Sequence, residues 1–81
     1  MPRSIHRPEY KIFCSALRGL RERAGMSQED LAQELGRPQT FVSAVELAKV
    51  RVDFLQIRDW CRACGTTVAK FVAQVERRLP S

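Results

Sequence analysis

Eighty-one residues, 44% of them apolar, suffice for one small globular domain and exclude a second one large enough to carry a separate catalytic unit. Fourteen Lys and Arg against nine Asp and Glu give a net charge of +5, and most of the positive charge is Arg, which suits planar contact with phosphate or guanine and favours an anionic partner. No apolar run approaches the roughly 20 residues needed to span a bilayer, MPRSIHRPEY at the N-terminus has no apolar signal core, and three cysteines do not close a disulfide framework, so the expectation is a cytoplasmic chain with reduced thiols and no membrane partner.

Residues 1–8 read as a basic arm carrying Arg3, His6 and Arg7, and residues 9–81 as a single domain. Pro8 suits a first helical residue, where its missing N–H would be unpaired in any case. From Glu9 onward, Phe13, Leu17, Leu20 and Ala24 recur at helical spacing until Gly25, which predicts a helix over about 9–24. Ser27 follows as an N-cap, with Glu29 and Asp30 in the first turn where the helix dipole favours negative charge. Leu31, Ala32 and Leu35 form the buried face of this second helix, 28–35, and Gly36 its C-cap. Only GRP intervenes before the next periodic stretch, and Pro38 is tolerable only at a helix start. Over 39–47, Val42 and Val45 then point one way and Gln39, Thr40, Ser43 and Ala44 elsewhere.

Asp53, with Gln56 three residues later, forms a capping box for a fourth helix, 54–64, whose expected buried face is Leu55, Ile57, Trp60, Cys61 and Cys64. Thr66 or Thr67 caps the last helix, 68–79, along which Phe71, Val72, Val75 and Leu79 form an apolar stripe. Five helices and no convincing strand make the expected class all-α. A domain of this size buries only about 60–65% of the surface its unfolded chain exposes. The stripe exceeds the needs of a four-helix core, so it is expected to form a homodimer interface.

SQEDLAQELGRPQTFVSAVE has the pattern of a helix-turn-helix: two short helices, a tight turn at Gly36, a small Ala32 at the crossing, and Val42 and Val45 anchoring the second helix. With LRGLRERAGM before it and, more weakly, FLQIRDWCRACGTT after it, the chain resembles the Cro and lambda-repressor-like regulators, also called xenobiotic-response-element-type regulators, over about Leu17 to Phe71. The resemblance implies a five-helix domain that binds double-stranded DNA. It implies a structural ion pair between Arg21 and Glu46, a phosphate contact at Gln28 supported by the dipole of its helix, and base contacts from Gln39, Thr40, Ser43 and Ala44. Gln suits the N6 and N7 edge of adenine, and Thr or Ala methyls suit the thymine methyl.

Gln39 to Leu47 holds no Lys or Arg, so phosphate neutralisation falls to the flanks: Arg37 before the third helix and Lys49 and Arg51 after it. The expected function is a sequence-specific transcriptional regulator, a repressor bound as a dimer to a palindromic operator. The alternative is an interaction module, such as an antitoxin subunit or anti-activator, holding a protein partner through FVSAVELA. The chain departs from the family at Ala44, where a basic residue is common, and at Leu47 and Ala48, where Arg or Asn followed by Gly is common. Either Ala48 keeps the positive φ of that Gly, at a cost of about 1 kcal/mol, or the helix runs on by part of a turn.

Enzymatic chemistry has little support. WCRAC looks like a thioredoxin-type site, but it falls at a helix C-terminus, where the dipole opposes a thiolate, so its cysteines read as core. Cys14, Cys61, Cys64 and His6 lack metal-site spacing, no Gly-rich phosphate loop is present, and neither metal nor cofactor is expected.

Overall fold

The computed structural model describes residues 7–80. Arg3 and His6 of the basic arm lie outside the described residues. Five helices follow one another: α1 (Pro8–Arg23), α2 (Gln28–Leu35), α3 (Gln39–Glu46), α4 (Phe54–Ala63) and α5 (Val68–Arg78). Among the described residues there is no strand, and no helix is long and apolar enough to cross a membrane.

The helix starts are set by side-chain chemistry. Ser27 and Asp30 exchange hydrogen bonds with each other's backbone N–H in a capping box, as do Asp53 and Gln56, while Thr67 accepts from the Lys70 N–H. Each cap satisfies donors that the first turn of a helix leaves without a partner. Pro8 is the first residue of α1, and Pro38 caps α3 without a side-chain hydrogen bond.

Four helices end in one motif. The chain turns through the left-handed region and two backbone N–H groups fold back onto the last carbonyls. Gly25, Gly36 and Gly65 occupy the left-handed position after α1, α2 and α4. After α3 it is Ala48, at φ 59°, with its N–H bonded to the Val45 carbonyl and the Lys49 N–H to that of Ala44. So the helix does not run on: alanine takes up a conformation in which its Cβ crowds the following carbonyl. Ala48→Gly is expected to raise stability by about 0.5–1 kcal/mol, or roughly 3–6 °C in Tm for a domain of this size. Differential scanning calorimetry of the two proteins checks it.

The core is one cluster drawn from all five helices. Leu17 and Leu20 of α1, Leu31 and Ala32 of α2, Val42 and Val45 of α3, Trp60 and Cys61 of α4, and Phe71 and Val75 of α5 are all buried within it. Two expectations are corrected here. Leu55 is 65% exposed: Ile57, Trp60, Cys61 and Cys64 define the inward face of α4 at spacings of three, four and seven, and two residues before Ile57 is the opposite side of a 3.6-residue helix. The α5 stripe also divides, because Phe71 and Val75 are consumed by the chain's own core, with the Phe71 ring centroid 5.6 Å from that of Phe13 and the planes tilted by 59°. Val72, at 46% exposure, and half-buried Leu79 are what the stripe leaves outside.

Candidate nucleic-acid interface

Helix α3 is held by α1 and α2. Val42 and Val45 are fully buried, and Ala32, small enough for two helix backbones to approach, lies beneath them in α2. This grip leaves the other side of α3 outward. Gln39 and Thr40 in its first turn are exposed, and Ser43 and Ala44 one turn on are half-buried.

Beneath that surface sits an ion pair. Arg21 Nε donates to Glu46 Oε2 at 2.6 Å and a terminal guanidinium nitrogen donates to Oε1 at 3.1 Å, the bidentate geometry that makes Arg–carboxylate pairs strong. The other terminal nitrogen donates to the Met26 carbonyl at 2.8 Å. The side chains are 11% and 3% exposed, so the pair ties α1 to the end of α3 and to the loop before α2 in a shielded environment. The hydrogen bond from Arg21 to Glu46 holds the guanidinium in its charged form above its ordinary range.

The polar network continues outward. Gln28, the first residue of α2, donates Nε2 to Glu46 Oε1 at 2.9 Å, and its Oε1 accepts from Gln39 Nε2 at 2.6 Å. Arg21, Glu46, Gln28 and Gln39 therefore form one continuous chain from the core to the exposed start of α3. Gln28 has one N–H left over at the N-terminus of α2.

Positive charge lies on either side of this surface. Arg37, in the turn before α3, stacks on Phe41 with its guanidinium carbon 4.6 Å from the ring centroid, a contact that restrains the side chain while leaving its N–H edge open. Lys49 and Arg51 are exposed in the loop after α3. None of the three is in an ion pair among the described residues. The loop is anchored from α1: Tyr10 donates its hydroxyl to the Val50 carbonyl at 2.6 Å. Burial pushes the Tyr10 phenol up to about 12, so it remains a donor throughout the neutral range. Several other arginines are engaged elsewhere: Arg18 pairs with Glu22, Arg23 donates to Gln74, and Arg77 and Arg78 lie in the last turn of α5, where cations suit the dipole.

Phe41 beneath Arg37, the Tyr10 anchor and the hydrogen bond between Gln28 and Gln39 are additions to the sequence-based expectations. The four-residue spacing of Arg37 and Phe41 was a usable signal. Tyr10 and Val50, 40 residues apart, offered none.

The thiols are shielded groups rather than nucleophiles. Cys14 and Cys61 are buried and Cys64 half-buried, and burial raises all three, Cys61 and Cys64 to about 11, so the neutral thiol dominates at physiological pH. An open groove of about 440 Å³ between α4 and the start of α5 is lined by Phe54, Arg58, Arg62, Thr66, Thr67 and Val68, without a general base beside either hydroxyl.

Comparison with known proteins follows the same geometry. Residues 13–74 match the model of a helix-turn-helix domain family. The solved structure of an XRE-family like protein from Pseudomonas syringae pv. tomato str. DC3000 is 37% identical and superposes with a TM-score of 0.82, covering 96% of this chain and 95% of that one. The clp gene regulator ClgR from C. glutamicum shares the fold at 20% identity and a TM-score of 0.81, over 91% of this chain and 95% of its own. No curated protein matches the chain.

Proposed function

The chain belongs to the XRE and Cro-like helix-turn-helix family of DNA-binding regulators, and from that premise we propose that it is a transcriptional repressor that binds a palindromic operator in double-stranded DNA as a homodimer. The observation that carries this reading is the division of labour around α3. A polar, uncharged first turn faces outward, braced from below by a buried ion pair, and unpaired cations flank it on both sides. Bases can be read by neutral hydrogen-bonding groups and methyls while affinity comes from phosphate neutralisation, so the two need not share residues.

Gln39, Thr40 and Ser43, with the methyl of Ala44, are the base-reading set in the major groove. Arg37, Lys49, Arg51 and the free N–H of Gln28 take the phosphates. Two half-sites in such dimers lie about 34 Å apart. Val72 and Leu79 remain on α5 for the contact between copies. Its shielded, neutral thiols suit a cytoplasmic setting, where disulfides are rare. The alternative protein-holding surface loses most of its apolar area, because Val42 and Val45 are buried and Phe41 lies under Arg37, which leaves Leu47, 59% exposed, as its large apolar residue.

The double variant Lys49→Ala, Arg51→Ala tests the affinity half. Removing two phosphate contacts should flatten the slope of log K against log salt by about 1.8 per half-site and weaken binding to all sequences alike, as followed by fluorescence anisotropy. An unchanged slope means that the loop does not lie along the phosphates.

A further inference from the structure

The loop between α3 and α4, residues 47–53, has little to hold it in place. Its large apolar side chains Leu47 and Val50 are exposed, and among its apolar residues only Val52 packs against the core cluster. Its ends are fixed by local bonds, the Ala48 and Lys49 N–H groups onto α3 and the Asp53–Gln56 capping box onto α4. Between those ends, among the described residues, one side-chain hydrogen bond reaches the loop from elsewhere in the chain: that of the Tyr10 hydroxyl to the Val50 carbonyl, at 2.6 Å.

Tyr10 is itself held. Its ring centroid lies 5.7 Å from that of Phe13, with the planes tilted by 33°, and Phe13 in turn lies against fully buried Phe71. A row of aromatic rings therefore runs from the core to the loop, and the hydroxyl at its outer end has its freedom restricted before it makes the bond. The place where it grips matters. The Val50 carbonyl belongs to the planar peptide unit that leads into Arg51, one residue after Lys49, so holding its oxygen restrains the backbone between the two cations. Burial raises the Tyr10 phenol, and the Arg51 charge acts against that rise, so the guanidinium is close enough to be felt there. Lys49 and Arg51 are exposed and outside any ion pair among the described residues. A cation on an unrestrained loop has to be ordered each time it meets a phosphate, an entropic cost that a loop fixed in advance avoids.

We propose that Tyr10 is a positioning residue for DNA binding, whose hydroxyl holds the loop so that Lys49 and Arg51 meet phosphates from a backbone already ordered. This rests on the assignment of phosphate contacts to that loop and adds to it a residue of α1 that need not touch DNA.

Tyr10→Phe is the informative substitution. It removes the hydroxyl and keeps the ring beside Phe13, so the variant is expected to fold, which circular dichroism verifies. The probe is a fluorescein-labelled duplex of random sequence, followed by anisotropy at several salt concentrations, since phosphate contacts need no operator. Tyr10→Phe is expected to weaken binding by about fivefold per protein copy bound, the worth of one hydrogen bond. The slope of log K against log salt should not change, because the same cations still reach the phosphates. Added to Lys49→Ala, Arg51→Ala, the substitution should have no further effect, whereas a merely structural role would carry over undiminished. A second readout needs no DNA: in the free protein, NMR order parameters of the Val50 and Arg51 backbone should fall from about 0.85, the rigid range, to below about 0.6 in Tyr10→Phe.

Affinity of Tyr10→Phe within about twofold of wild type, an equal loss in both backgrounds, a flattened slope or unchanged order parameters would each refute the positioning role while the phosphate contacts of the loop stand. If Lys49→Ala, Arg51→Ala itself leaves affinity and slope unchanged, the loop does not lie along the phosphates, and the positioning role fails with that reading.

Discussion

Trp60→Ala is expected to lower the folding free energy by about 3–5 kcal/mol. Trp60 is 1% exposed at the centre of the inward face of α4 and belongs to a cluster with residues of all the other helices. Its indole N–H donates to the Leu17 carbonyl of α1 at 3.0 Å. The magnitudes say which contribution dominates: a hydrogen bond of this kind is worth about 1 kcal/mol net, and the rest is packing that alanine leaves as a void. Trp60→Phe separates the two, because it forfeits the bond and part of the volume, and should cost roughly half as much as alanine. Small domains hold only about 5–15 kcal/mol in total, so the alanine variant should be partly unfolded at physiological temperature. Urea titration followed by far-ultraviolet circular dichroism is the suitable measurement, since the substitution removes the chain's one tryptophan and with it the usual fluorescence signal.

Arg21→Ala should have an effect of similar size by a different route, a loss of about 3–5 kcal/mol. The substitution leaves Glu46, with a side chain only 3% exposed, without its counter-charge, and it deprives the Met26 carbonyl of its donor. Replacing both partners tells a penalty for orphaned charge from the intrinsic worth of the pair. Arg21→Met combined with Glu46→Leu should recover most of the stability, because well-packed apolar groups often match a buried ion pair. If the double variant is as unstable as Arg21→Ala, the pair itself contributes, and the orphaned carboxylate is not the main cost.

Much of this was legible in the sequence, and the physical reasons are specific. The five helices follow from apolar residues at helical spacing between strong stop and start signals, and side-chain caps at Ser27, Asp53 and Thr67 act within three residues of themselves. Local interactions of this kind are written locally. What escaped depended on how helices face one another. Leu55 has the composition of a core residue, and only the packing of α4 against its neighbours places it outside. Phe71 and Val75 looked surplus to a four-helix core because the size of the gap that α5 fills is not encoded in α5. Ala48 left two backbone paths open, and the choice fell on the strained one through two backbone hydrogen bonds that no side chain announces. The candidate site divides in the same way. Its residue types were readable, whereas the bond between Gln28 and Gln39 arises from the geometry of the turn between α2 and α3, and the Tyr10 anchor joins residues 40 positions apart.

The absence of positive charge from Gln39 to Leu47 follows from the same arrangement. A cation at Ala44 would add phosphate affinity, which the proposed function instead assigns to Arg37, Lys49 and Arg51 at the edges.

The central claim, sequence-specific binding of DNA through α3, is tested most directly by selecting the wild-type protein's ligands from random duplexes and measuring affinity for the winner and for a scrambled duplex at two salt concentrations. The account predicts an inverted repeat with half-sites about one helical turn apart, preferred over the scrambled duplex by roughly 1,000-fold or more, with both affinities falling as salt rises. A selection that enriches no sequence, or equal affinity for the enriched and scrambled duplexes, contradicts it.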